Sequence, residues 1–330
     1  MDGQLFLDYM DILIKQEKSE VMPATMMDII NNKWRAFELG DIGACEFAKR
    51  TLLLRREESL TTVASQRDYD CPPDFISIAR KGYDERTDVI RHTKSGETQG
   101  ELIYRRPYSH FWNFDTSQEE VVPGEFDIVE NPLSPVEIAG TTTSAGTVAD
   151  GEATLTNINA TFTDGSDLAY ARYRVRNTTS GKPHRGIVLN VEGDTELKTA
   201  IFQDGVAQSW GNGDTYAIQS SNKFKLRFGY KTSTAGDTVV LDYHCLPPPV
   251  FSPIGMWGFP DPSHVMAIAT YAVWLLKLRN IQEQRSGDVN VAALTSDRLY
   301  MVFQQHVDDA KADRRRRFYV PRHSPLMGVL

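Results

Sequence analysis

Six basic side chains crowd the last twenty positions of this 330-residue chain, Lys311, Arg314, Arg315, Arg316, Arg317 and Arg322, against one acid, Asp313. The preceding residues hold 30 basic and 43 acidic groups, so a net charge of −8 divides into an acidic body and a cationic tail. Guanidinium groups in a run can grip carboxylates or phosphates bidentately. Around them Phe318, Tyr319, Leu326, Met327, Val329 and Leu330 supply apolar anchors, while Pro321 and Pro325 forbid regular helix. An acidic body repels nucleic acid at long range, so the expected partner of such a tail is another protein surface. A solvated helix end, with cations at the negative pole of the dipole, is the plainer reading of the arginines.

Other residues that could carry chemistry are dispersed. The seven histidines, His92, His110, His184, His244, His264, His306 and His323, form no HExxH pair, and no GxSxG elbow surrounds a serine. Glu119-Glu120 and Asp308-Asp309 are adjacent in sequence and therefore diverge on a strand or helix, as surface groups do. The loop Gly211 to Tyr216, GNGDTY, has a phosphate- or calcium-like composition but lacks strand-to-helix context, a Lys-Ser/Thr pair and acids at calcium spacing, so it reads as a hairpin turn. No enzyme activity, cofactor or metal is expected. Cys45, Cys71 and Cys245 are an odd, widely spaced set, read as reduced and buried thiols. The acidic start does not resemble a signal peptide and no apolar run is long enough to span a bilayer, so the expectation is synthesis in the cytoplasm without membrane contact. The sequons at Asn159 and Asn177 are then coincidental.

The elements that must hold these residues follow from periodicity. Leu5, Tyr9, Ile12 and Leu13 fall at helical spacing; Pro23 opens a second run with Met26, Ile30, Trp34 and Phe37 that closes at Gly40; Asp41 caps a third with Ala44, Phe47, Ala48, Thr51 and Leu52, ending in the solvated cluster Arg55, Arg56, Glu57, Glu58. Short strands follow around Phe75 to Ile78 and Val89-Ile90. Phe224 to Tyr230 and Thr238 to Cys245 alternate and are expected to pair as a hairpin across KTSTAGD. Residues 138–219, rich in Thr, Gly, Asn and Asp, repeat a strand-turn-strand grammar and predict an inserted all-β barrel or sandwich. A proline-rich connector, Leu246 to Pro262, leads to a helix capped by Asp261, with Val265, Ile268, Ala269, Ala272, Leu275, Leu276 and Arg279 inside and a break at Ser286-Gly287. The last helix, from about Asp288, sets Val291, Leu294, Arg298, Met301, Val302, Gln305 and Ala312 at helical spacing with Tyr300 and Phe303 alongside, antiparallel to its predecessor. The fold class is thus α+β: a helical bundle from both chain ends with a small β part in residues 1–137 and 220–310, the insert at 138–219, and an extended arm at 311–330.

This order of parts resembles the head-to-tail adaptor (connector) proteins of tailed bacteriophages. The residues that carry the resemblance are Tyr69-Asp-Cys-Pro-Pro-Asp-Phe75, Tyr243 through Pro249, and Asp261-Pro-Ser-His264 at the opening of the long helix. The insert resembles a β module of phage virion proteins through Ala153-Thr-Leu-Thr156, Thr161-Phe162, Val175-Arg-Asn-Thr178 and Trp210-Gly-Asn-Gly-Asp-Thr-Tyr216. The resemblance implies a structural virion protein of the neck. Copies would form a dodecameric ring that joins the portal protein to a tail or nozzle protein, letting DNA pass with transient contact. Arg314, Arg315, Arg316, Arg317, Phe318, Tyr319, Arg322, Leu326, Met327 and Leu330 would be the portal-binding residues. Two alternatives stand beside it: a decoration or carbohydrate-binding protein using Trp210, Tyr216, Tyr170 and Tyr173 of the insert, and a DNA-binding packaging factor using the arginine tail.

Overall fold

The computed structural model describes residues 2–17, 33–82, 87–107, 118–130, 137–162, 172–219, 224–284 and 297–318. Within them the chain is a mixed α/β protein of four helices and eighteen strands. Helix α1 (Asp2–Glu17) buries Phe6, Met10, Leu13 and Ile14, a seam rotated from the expected stripe, for Ile12 is 50% exposed. Its first turn is stitched to the proline connector: Gly3 N donates to Gly255 O at 3.1 Å, Gln4 N to Pro253 O at 2.9 Å, and Trp257 N to the Asp2 carboxylate at 3.0 Å.

Helix α2 (Lys33–Thr51) runs straight through Gly40 and Asp41, where a break between two helices was expected. Gly40 serves packing instead of termination, because a Cβ there would lie 2.7 Å from Cζ of Phe6. A Cβ on Gly43 would similarly approach Ile268 O to 3.0 Å, so both glycines let neighbouring helices come close. The helix ends at Thr51 with Leu52 in the left-handed region (φ 53°), its N–H bonded to Ala48 O at 2.8 Å. Arg55 to Glu58 then belong to a strand, not to a solvated helix end. They sit opposite Leu241 to His244, and Arg55 and Arg56 find carboxylates on Asp242 and Asp74. Cross-strand pairing of these groups outweighs their helix propensity.

The first sheet contains β1 (Arg55–Thr61), β2 (Asp68–Asp70), β3 (Phe75–Ile78), β4 (Val89–Thr93), β5 (Glu101–Arg105), β7 (Glu125–Glu130), β16 (Phe224–Phe228) and β18 (Thr238–Cys245), ordered β1-β18-β4-β5-β7-β16-β2 with β3 added on β18. A separate parallel pair joins β6 (Glu119–Glu120) to β17 (Lys231–Thr232). The sheet surrounds its own core of Tyr69, Phe75, Ile90, Ile103, Phe126, Leu226, Phe228, Leu241 and Tyr243. The alternation in Phe224 to Phe228 is realised, with Leu226 and Phe228 buried and Arg227 outside on Asp68 at 2.6 Å. The expected hairpin between β16 and β18 is not formed: β16 lies between β7 and β2, and β18 between β1 and β4. The intervening loop has other partners. The Thr232 hydroxyl donates to Val63 O at 2.6 Å, and the Asp237 carboxylate accepts from Ser95 N and the Thr234 hydroxyl, each at 2.9 Å.

Residues 137–219 form a sheet of their own, from β8 (Glu137–Thr141), β9 (Val148–Ala149), β10 (Glu152–Thr156), β11 (Arg174–Asn177), β12 (Arg185–Gly193), β13 (Glu196–Gln203), β14 (Val206–Ala207) and β15 (Thr215–Gln219). The insertion point is the β7/β16 pair: Glu130 faces Phe224 in the first sheet, and Glu137 faces Gln219 in the second. One side of the insert buries Leu155, Phe162, Val175, Val188, Leu197, Ile201, Trp210, Tyr216 and Ile218. The other side brings Leu189, Ala200 and Phe202 into the helical core with Phe6, Met10, Phe251 and Trp257, and Phe202 lies 6.1 Å from Phe251 between ring centres. The larger of these side chains, Leu189 and Phe202, each stabilise the contact by about 1.5–3 kcal/mol when fully covered.

Helix α3 (Ser263–Gln284) packs against each of the other three helices. Asp261 caps it, accepting from Ser263 N at 2.8 Å. Helix α4 (Arg298–Phe318) runs antiparallel to α3: Tyr271 meets Phe303, Trp274 meets Tyr300, and Lys277 pairs with Asp297 at 2.8 Å, in reverse order along the two chains. Its buried seam is Leu299, Phe303, Val307 and Ala310, whereas Met301, on the stripe picked out by helical spacing, is 61% exposed. Expected core positions Met26, Ile30, Val291 and Leu294 lie outside the described residues. Among the described residues no helix is long and apolar enough to cross a membrane.

Candidate functional site

Helix α4 continues through Phe318, so residues 311 to 318 of the expected arm are helical. Arg314 is committed within its own chain: it donates to Thr51 O at 3.1 Å, satisfying an orphan carbonyl at the C-terminus of α2. Burial holds its pKa below the ordinary guanidinium value. It also lies near His244, whose pKa is held down by burial first and by the Arg314 charge second, with a contact to Leu54 O working in the opposite direction. Arg315, Arg316, Arg317 and Phe318 complete the helix in backbone. Tyr319, Arg322, Leu326, Met327 and Leu330 lie outside the described residues. The structure therefore separates the first of the candidate residues from the rest.

Among the described residues, one buried charge cluster escapes the sequence reading. Arg172, with its side chain 7% exposed, forms a bidentate pair with Asp41 of α2 at 2.9 and 3.0 Å, and its Nε donates to Pro247 O at 2.9 Å. Three parts of the molecule meet at one guanidinium: the insert, the helices and the connector after β18. Burial opposes the charge, but the Asp41 carboxylate outweighs it and raises the Arg172 pKa. Next to it the Tyr243 hydroxyl donates to Asp74 Oδ1 at 2.9 Å and Arg56 pairs with the other oxygen. Burial raises the Asp74 pKa against the pull of Arg56, and burial together with the Asp74 charge raises that of Tyr243. The available sequence signal was slight. Arg172, Arg174 and Arg176 share one parity, yet Arg172 alone has a positive φ, 68°, which takes it out of the strand.

The insert's motif residues prove to be structural. The GNGDTY segment is a turn organised by Asp214, whose carboxylate accepts from Gly211 N at 2.7 Å, Asn177 Nδ2 at 3.0 Å and Lys182 Nζ at 2.6 Å. Burial alone would raise its pKa, and these donors together hold it below the usual carboxylate range. Trp210 is fully buried and donates to the Thr199 hydroxyl at 2.9 Å, while the Tyr216 hydroxyl accepts from Asn157 at 2.9 Å. Trp210, Tyr216 and Tyr173 are at most 8% exposed, which removes them as a sugar platform; Tyr170 lies outside the described residues. Asn177, one of the two sequon asparagines, is 6% exposed with its amide engaged.

The described histidines do not converge. His92 is buried against Asp237 at 3.2 Å, His264 lies tilted against Phe47 and edge-on to Phe259, and His244 sits by Leu54 and Arg314. His184 lies in the insert, and burial lowers the pKa of His306. Burial pushes the thiol of Cys45 up to about 12 and that of Cys245 to about 11, and raises Cys71 as well, which keeps all three protonated and unreactive. Among the described residues no group of three or more His, Cys, Asp or Glu could hold a metal ion. Compared with known proteins, the chain matches no family model and no curated sequence.

Proposed function

We propose that the chain is a structural subunit of a phage virion, assembled as a ring in the neck that joins the portal of the head to a tail or nozzle protein and lets DNA pass. In this reading the helices of both chain ends act as one bundle facing the portal. Arg315, Arg316, Arg317, Phe318, Tyr319, Arg322, Leu326, Met327 and Leu330 make the docking contact. The observation that carries the reading is the anchoring of α4: Arg314 is fixed on the end of α2, so the cationic and apolar residues that follow start from a rigid base. A helix end held in this way offers several anchors at once, which exposed arginines need, since each exposed pair contributes only about 0–1 kcal/mol. The carbohydrate-binding reading is disfavoured because its aromatics are core residues.

Truncation after Arg317 tests the proposal. The truncated chain should keep its circular dichroism spectrum and melting transition while losing co-sedimentation with portal rings from the same phage. Undiminished co-sedimentation would refute the docking role. Salt-sensitive retention of duplex DNA, lost when Arg315 to Arg317 are replaced by glutamine, would transfer the function to nucleic-acid binding.

A further inference from the structure

We infer that His244 and Arg314 form an acid-sensitive latch at the base of the cationic tail: the end of α4 is held on α2 while His244 is neutral and is let go when His244 takes up a proton. The latch is assembled on the short turn 51–54 between α2 and β1. At one end of the turn Arg314 of α4 donates to Thr51 O at 3.1 Å. At the other end His244 of β18 holds Nδ1 3.3 Å from Leu54 O, a carbonyl that also accepts from Cys245 N at 3.2 Å. A neutral imidazole with its proton on Nδ1 donates to Leu54 O and brings no charge to the site. A second proton, on Nε2, makes the ring a cation beside a guanidinium, and each then disfavours the other.

The groups around the imidazole set the sign. Among the described residues it faces Arg314 from α4, Arg55 opposite it on β1, Asp242 on its own strand, and the uncharged Ser77 of β3. Asp242 is the anion of this group, and Arg55 already grips it through two nitrogens. His244 is 9% exposed, so water screens little of the repulsion. Burial first and Arg314 second hold its pKa below the ordinary value, with Arg55 adding to them and Leu54 O and Asp242 opposing. An exposed histidine titrates near pH 6.5, so an imidazole uncovered by release binds the proton more tightly than a latched one. The latch is therefore at full strength well above about pH 6.5 and weakens as the pH falls below that value.

The movement is confined to the helix end. Phe303, Val307 and Ala310 are buried with Ala267 of α3 and Phe47 of α2, which keeps α4 in place up to the turn before Arg314. The inference rests on the docking reading only for its consequence, that the tail starts from a fixed base at neutral pH and from a loose one in acid.

Hydrogen exchange of the full-length chain, read by mass spectrometry and corrected for the intrinsic pH dependence of exchange, tests it. Opening of residues 311–318 should increase at least about two-fold between about pH 7.5 and about pH 5.5, while α3 and β18 stay protected. Burial also lowers the pKa of His306 on the same helix, so the deciding variant is His244→Asn, which keeps a donor at the Nδ1 position and cannot charge. Its helix end should stay equally closed at both pH values, and that of Arg314→Met should be open at both. In Arg314→Met the His244 titration, followed by imidazole C2 hydrogen exchange, should also move upward, which decides the matter even where His244→Asn does not fold. Equal opening of the unaltered chain at both pH values would overturn the inference. So would a His244→Asn chain that opens in acid like the unaltered one, or a His244 titration that ignores Arg314→Met. These assays contain no portal, so such a failure leaves the docking role standing, and truncation after Arg317 decides that role by itself.

Discussion

Replacing Arg172 with methionine should be among the most damaging single changes in the molecule, and its cost follows from what remains behind. The guanidinium is 7% exposed and its partner Asp41 is 14% exposed, so the change leaves a largely desolvated carboxylate and the Pro247 carbonyl without their donors. Removing one member of a buried ion pair costs about 3–5 kcal/mol. Asp41→Leu should cost a similar amount, because it strands the guanidinium. The double variant Arg172→Met/Asp41→Leu should recover most of the loss, since an apolar pair of similar volume is often neutral relative to a buried ion pair. Denaturant unfolding of the four proteins closes a double-mutant cycle, and a coupling of about 2 kcal/mol or more is expected. Hydrogen exchange should show faster opening in β12, β13 and α1, where the insert meets the helices. A loss below about 1 kcal/mol in Arg172→Met, with additive behaviour in the double variant, would refute the argument that this pair clamps the insert to the body.

Three further changes probe packing, backbone conformation and titration. Gly40→Ala places a Cβ 2.7 Å from the Phe6 ring and should destabilise by about 1–3 kcal/mol in thermal or denaturant melts, whereas Gly181→Ala, whose Cβ meets nothing but whose φ is 80°, should be costly for backbone reasons alone. Asp214→Asn keeps the turn's shape but loses the charge that binds Lys182, and should cost about 1–3 kcal/mol at neutral pH. Because the folded carboxyl titrates below its unfolded value, its contribution is complete above about pH 4 and disappears as the pH falls through the folded pKa. The variant's acid-unfolding curve should therefore converge with that of the unaltered chain at low pH, and a constant offset would contradict the assignment.

The parts of the fold that sequence reveals are those governed by local pattern. The β grammar of residues 138–219, the Asp261 cap and the inward Leu226 and Phe228 all follow from rules acting over a few residues. What escapes is decided by distant partners. Gly40 reads as a terminator until Phe6 is seen against it, and Arg55 to Glu58 read as a helix end until β18 is alongside. Helical spacing counted from Asp288 favours the stripe through Met301, while Leu299, Phe303 and Val307 form the seam that meets α3. The candidate tail was visible as a charge run, but nothing local indicated that Arg314 would close the end of α2. Arg172 is one arginine among several in its segment, and only the position of Asp41, 131 residues away, distinguishes it.

The insert enters and leaves the body between two strands that remain hydrogen-bonded neighbours, Glu130 across from Phe224. An insertion at such a point leaves the host sheet whole, because β7 and β16 pair as antiparallel neighbours on either side of it. Its helix-facing side nevertheless shields Phe6, Phe251 and Trp257 from water. A guest admitted at no topological cost has become a wall of the house: cutting it out and rejoining the strands would strip the helices of their cover and yield a sticky, aggregating remnant in place of a smaller working subunit.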